Sequence, residues 1–176
     1  RDGGDATRVT ATPAIESQPA WAPDTRRVAY VAAREGVQRI YLYDFAANRE
    51  TALTTSAGAD ISPVFSPDGS QLAFLRDRRE LRVLTLGSNT ERVVASGAFA
   101  DAIDTPSPVW APDGKRLAFQ GYHRDTWHVW LVNGDGSGLQ QLTYGPFDDR
   151  EPFWSPDGTR LAFSSDRSGQ YDIWIV

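Results

Sequence analysis

An all-β propeller built from four four-stranded antiparallel blades is the fold class this sequence predicts, and three observations predict it. One phrase returns four times: Ala20-Trp21-Ala22-Pro23-Asp24, Val64-Phe65-Ser66-Pro67-Asp68-Gly69, Val109-Trp110-Ala111-Pro112-Asp113-Gly114 and Phe153-Trp154-Ser155-Pro156-Asp157-Gly158. The prolines that open the phrases, Pro19, Pro63, Pro108 and Pro152, recur every 44 or 45 residues, the signature of one supersecondary unit in a tandem array. Each unit contains short apolar runs of strand length, and none has the long 3.6-residue periodicity of a helical solenoid.

The elements follow in a fixed order. An aromatic ends the first short strand, and a Pro-Asp-Gly turn follows. Proline presets φ at the first central position, Asp tolerates the second, and Gly takes the positive φ that reverses the chain. The first copy departs from this, with Thr25 where Gly stands elsewhere. The second strand is Arg27-Val28-Ala29-Tyr30, Gln71-Leu72-Ala73-Phe74, Arg116-Leu117-Ala118-Phe119 or Arg160-Leu161-Ala162-Phe163. A polar loop leads to a third strand, Ile40-Tyr41-Leu42-Tyr43, Val83-Leu84-Thr85-Leu86, Val129-Trp130-Leu131-Val132 or Ile173-Trp174-Ile175-Val176, apolar on both faces and therefore buried on both. The fourth strand is more polar, at Glu50 to Thr54, Glu91 to Val94 and Leu139 to Thr143, as suits an outer edge that must not recruit other chains. Four such strands in about 44 residues, packed between neighbours on both sides, describe a propeller blade. The blades fall at about 19–54, 63–95, 108–143 and 152–176, all in one domain spanning 1–176.

These motifs resemble the TolB-type β-propeller repeat, a WD-repeat-like propeller unit. The similarity lies in the Pro-x-aromatic-Ser/Ala-Pro-Asp-Gly phrase, the Leu-Ala-Phe strand, the Ser165-Asp166-Arg167-Ser168-Gly169 loop and the Asp172-Ile173-Trp174 strand, and it covers essentially the whole chain. It implies a noncatalytic disc whose rim and channel mouth hold a protein or peptide, located in the bacterial periplasm or cell envelope. The α/β domain that precedes the propeller in TolB itself has no counterpart in these residues. Similar repeats also precede amidohydrolase or prolyl-oligopeptidase-like catalytic domains, which makes a second reading the propeller portion of a larger hydrolase, gating access to an active site outside this chain.

The ends leave the blade number open. Ala6-Thr7-Arg8-Val9-Thr10 matches the outer strand Leu139 to Thr143, so this N-terminal strand is expected to complete the last blade and lock a ring of four. Ile175-Val176 joined to Arg1-Asp2-Gly3-Gly4-Asp5 also imitates the hairpin around Asn133-Gly134-Asp135-Gly136, as tandem copies inside a longer chain would. The absence of an initiator Met favours an excised or processed piece, an arc of a propeller with six or seven blades. Such an arc would expose two apolar blade faces and self-associate.

Six Trp, six Tyr and eight Phe supply anchors for the interfaces between blades. No apolar run is long enough for a membrane-spanning helix. With no Cys there are neither disulfides nor thiolate metal sites, and a net charge of −5 argues against nucleic acid as a partner. Lys115 is the only lysine.

Catalytic motifs are missing. His123 and His128 stand five apart on an extended strand, on opposite faces, a poor geometry for sharing a metal. Asn133 to Gly138 has the oxygen spacing of half a calcium loop, but Tyr144 occupies the position that needs a bidentate Glu, so it reads as a Gly-rich hairpin turn. Two surfaces remain. Glu16, Asp60 and Asp149 stand three residues before an opening proline and Asp104 four before its own. These four are expected at one mouth of the channel, with Asp101, Asp148 and Glu151 beside them. Such a ring offers a place for a cation or a basic peptide, although Asp at these corners commonly accepts bonds from its own backbone. No cofactor is called for beyond that cation. The loops between second and third strands form the other surface, where Tyr122, Trp127 and Arg167 suit protein contact.

Overall fold

The computed structural model describes residues 5–97, 107–123 and 125–176. Every regular element among them is a strand, and the strands form four antiparallel sheets, each meandering in chain order. The first sheet holds β1 (Ile15–Trp21), β2 (Arg27–Arg34), β3 (Val37–Asp44) and β4 (Arg49–Ala52). The second holds β5 (Asp60–Phe65), β6 (Gln71–Arg76), β7 (Glu80–Thr85) and β8 (Thr90–Ser96). The third holds β9 (Val109–Trp110), β10 (Arg116–His123), β11 (Thr126–Asn133) and β12 (Gln140–Gln141). The fourth has three strands, β13 (Asp149–Trp154), β14 (Leu161–Ser165) and β15 (Asp172–Ile175).

The Pro-Asp-Gly turns close as their chemistry demands. Gly69 N donates to the Ser66 carbonyl at 2.8 Å, and Gly69, Gly114 and Gly158 all take φ near the left-handed value of 70°. Thr25 makes the same turn with φ 58°, a left-handed conformation that opposes its branched Cβ. A second irregularity was not foreseen. The pairing of β1, β5 and β13 with the following strand slips at Ser17/Ala20, Ile61/Val64 and Arg150/Phe153, and Gln18, Ser62 and Glu151 there take positive φ. A bulge at this point bends the innermost strand next to the central axis.

Successive sheets pack face to face, β5 against β1, β2 and β3, then β8 and β5 against β11 and β9, then β13 against β9, β10 and β11. Phe65, Trp110 and Trp154 wedge backward onto the preceding sheet. Trp110 joins the core that contains Leu72, Phe74 and Val83, and Trp154 packs with Ala118, Val129 and Leu131. Side-chain amides tie the blades as well, Gln18 Oε1 accepting from Ser62 N at 2.7 Å and Gln120 Oε1 from Glu151 N at 3.0 Å.

The packing series does not return from the fourth sheet to the first as a close-packed interface among the described residues. The strand expected at 6–10 to complete the last blade is not formed. Instead the Thr10 and Thr12 hydroxyls donate to the Glu16 carboxylate, and the Arg8 side chain donates to the carbonyls of Thr10 and Thr12, so the segment is spent on itself and on β1. Among the described residues the four sheets therefore form an open series.

Candidate functional site

The described carboxylates that open innermost strands are each engaged by an arginine of their own blade. Asp60, fully buried, lies opposite Arg76 across β5 and β6 and receives Nε on Oδ1 at 2.7 Å and Nη2 on Oδ2 at 3.0 Å. Arg76 also reaches Glu91 Oε1 at 2.5 Å, and Ser56 Oγ donates to Asp60 Oδ2 at 3.2 Å. Asp149, equally buried, receives Arg167 Nη2 at 2.7 Å. Glu16 is looser, with Arg34 at 3.6 Å, because Arg34 is forked onto Glu50 at 2.6 and 2.8 Å. That fork holds the Glu50 carboxyl below the usual carboxylate range. Asp104 and Asp101 lie outside the described residues. Among the described residues, no group of three or more His, Asp or Glu is placed to hold a metal ion.

The two surfaces distinguished by sequence meet here, since Arg167 belongs to the loop set and Asp149 to the channel set. Arg167 also donates to Ser165 Oγ at 2.9 Å and lies near the rings of Phe163 and Trp174, at 5.2 and 5.1 Å. Trp127 is buried, edge-on to the half-buried Tyr122 at 5.2 Å, with its backbone N–H on Asp148 Oδ1 at 2.9 Å. Beside them sits a buried pair without hydrogen bonds: His128 Nδ1 and Asp149 Oδ2, 4.0 Å apart. Burial pushes the His128 pKa down, against the pull of Asp149.

At the opposite end of the innermost strands the character reverses. Trp21, Phe65, Trp110 and Trp154 line one cavity of ≈ 650 Å³ together with Pro23, Pro67, Pro112 and Pro156, so all four sheets converge on a common mouth. The turns around it nest: a Cβ at Gly158 would lie 3.4 Å from Pro112 Cδ, and one at Gly69 3.4 Å from Pro23 Cδ, each turn resting on that of the preceding blade. Phe153 (69% exposed) and Trp21 (61%) offer large apolar surface there. The sequence marked these residues as the repeat phrase and as anchors between blades, not as a surface; their recurrence at the end of every innermost strand was the signal that could have found the mouth.

Serial four-stranded sheets about a central mouth define a β-propeller domain. The TolB beta propeller domain model matches residues 2–81 and 79–176, and the chain belongs to that family. A TolB homolog from Chlorobium chlorochromatii is 43% identical over 75 residues, 43% of this chain and 17% of that protein. The fold is similar to TolB from Acinetobacter baumannii, with a TM-score of 0.75 and 24% identity over 95% of this chain and 42% of that one. It is also similar to the acylaminoacyl peptidase of Pyrococcus horikoshii, with a TM-score of 0.68 and 17% identity over 93% of this chain and 31% of that one. The matched region spans less than half the length of each of these proteins.

Proposed function

We propose that the chain is a noncatalytic TolB-like scaffold that holds a protein or peptide at the apolar mouth. The observation that carries this reading is the convergence of aromatic and proline side chains from all four innermost strands on one cavity. Apolar and aromatic surface in a concave, largely preformed site suits peptide side chains. The described carboxylate–arginine pairs at the other end stiffen the first, second and fourth blades, so little ordering is needed there when a partner binds. The reading requires no cofactor. Through the resemblance to TolB it entails a location in the bacterial cell envelope.

A second reading has its own support in the similarity to acylaminoacyl peptidase: the chain would be the propeller portion of a larger hydrolase, and the mouth would control access to an active site outside these residues. The experiment that tests the scaffold reading is selection of a displayed random peptide library on the immobilised protein, followed by titration of enriched peptides against Trp fluorescence. Peptides that bind, and lose at least tenfold in affinity with Phe153→Ser or Val64→Asp, support it. Failure to enrich any peptide, or indifference to both substitutions, overturns it.

A further inference from the structure

His123 and His128 would stand on opposite faces if one continuous strand joined them, and it does not. β10 ends at His123 and β11 begins at Thr126, with Asp125 at φ 67° in the reversal between them. His123 pairs with Thr126 and Gly121 with His128, which makes the two histidines diagonal neighbours on one face of the third sheet. The separation expected from their spacing in sequence is corrected, because the chain turns back between them. Both line a cavity of ≈ 550 Å³ together with Thr126, Gln141, Tyr144 and Pro146.

The hydrogen bonding of His128 is half complete. Thr126 Oγ1 donates to the His123 carbonyl at 3.2 Å, so toward His128 Nε2, 2.9 Å away, it accepts, and the ring proton sits on Nε2. Nδ1 then carries the lone pair. It faces Asp149 Oδ2 at 4.0 Å, an oxygen that only accepts, and both atoms are buried without a hydrogen bond. Arg167 Nη2 occupies the other oxygen of Asp149, at 2.7 Å. Moving the ring proton to Nδ1 would aim it at Asp149 Oδ2 and free the Nε2 lone pair on the side of Thr126 and the cavity. A Lewis acid bound at Nε2 enforces that tautomer.

We infer that His123 and His128 bind a divalent transition-metal ion of the zinc class, His128 through Nε2, with Asp149 orienting the His128 ring from behind. Imidazole nitrogens suit zinc, copper and nickel, and a ligating histidine ordinarily gives its other N–H to a carboxylate. Two protein nitrogens leave the other positions of a tetrahedral ion to water, in keeping with the lack of any cluster of three His, Asp or Glu among the described residues. Burial favours the neutral His128 ring, the form that binds a metal. This cavity shares no residue with the apolar mouth, so the site does not depend on a peptide bound there.

Calorimetric titration of zinc chloride into the untagged chain tests this. One zinc per chain is expected, and His123→Ala, at an exposed position, is expected to weaken binding at least tenfold with an unchanged circular dichroism spectrum. Nitrogen-15 NMR of the histidine rings is expected to find the His128 proton on Nε2 in the free protein and on Nδ1 once zinc is bound. The absence of saturable zinc binding, an affinity unchanged by His123→Ala, or a His128 proton that stays on Nε2 with zinc bound overturns the inference.

Discussion

Arg76 grips Asp60 with two nitrogens across adjacent strands, and it does so where the Asp60 side chain has no contact with solvent. A carboxylate so placed depends on its partner, because a buried charge without compensation costs far more than the intact pair contributes. Arg76→Ala is therefore expected to destabilise the fold by about 3–5 kcal/mol. Urea unfolding of this variant beside Arg76→Lys checks it, and a loss below about 1 kcal/mol would place the pair with ordinary surface contacts.

His128 gives stability a pH dependence. Burial lowers its pKa from the ordinary 6.5, so the folded protein resists a proton that the unfolded chain accepts near that value. The unfolded state then binds more protons, and the stabilising contribution, complete above about 6.5, is lost as pH falls through the lower folded value. Asp149 and Asp148 oppose this shift and His123 adds to it. Urea midpoints are expected to drop between pH 8 and pH 5.5, and His128→Gln is expected to flatten that part of the profile. An identical slope in the variant would assign the effect to other groups.

Thr25 occupies the glycine position of its turn at φ 58°. A branched residue in that region is strained by about 1–2 kcal/mol, and glycine relieves it at an entropic cost of roughly half that. Thr25→Gly is expected to stabilise by up to about 1 kcal/mol, read as a raised midpoint in thermal unfolding. A lowered midpoint would mean that the Thr side chain contributes more than its backbone costs.

The three blade wedges differ in what lies under them. Trp110→Ala and Trp154→Ala each empty a packed site and are expected to cost about 3–5 kcal/mol. Among the described residues Trp21 stacks on Phe45, at 5.4 Å, and is 61% exposed, so Trp21→Ala is expected to cost about 0.5–1.5 kcal/mol. Chemical unfolding of the three variants measures the contrast, and equal losses would contradict this difference in packing.

Much of this architecture was legible in the sequence because turn chemistry and strand patterning are local. Pro-Asp-Gly fixes a reversal by its own dihedral preferences, and strands such as Leu117 to Phe119 show their burial in their composition. The bulges at Gln18, Ser62 and Glu151 were not legible, since three unlike residues adopt the same positive φ under the constraint of the axis. Nor were the partners of the carboxylates. Asp60 takes Arg76 from the second strand whereas Asp149 takes Arg167 from two positions further along the loop, and only three-dimensional register decides which reaches. Trp127 reads as a contact residue by type but is buried, because Tyr122, Arg150 and Asp148 close around it. Residues 6–10 have the sequence of an outer strand, and no local signal reveals that they bond to Glu16 instead.

Hydrogen exchange by mass spectrometry, with and without a selected peptide, tests the mouth most directly. Bound peptide is expected to slow exchange at 20–25, 64–67, 109–112 and 153–156, the segments that line the cavity. Protection confined to the loops around Tyr122 and Arg167, with the mouth unchanged, would contradict the account.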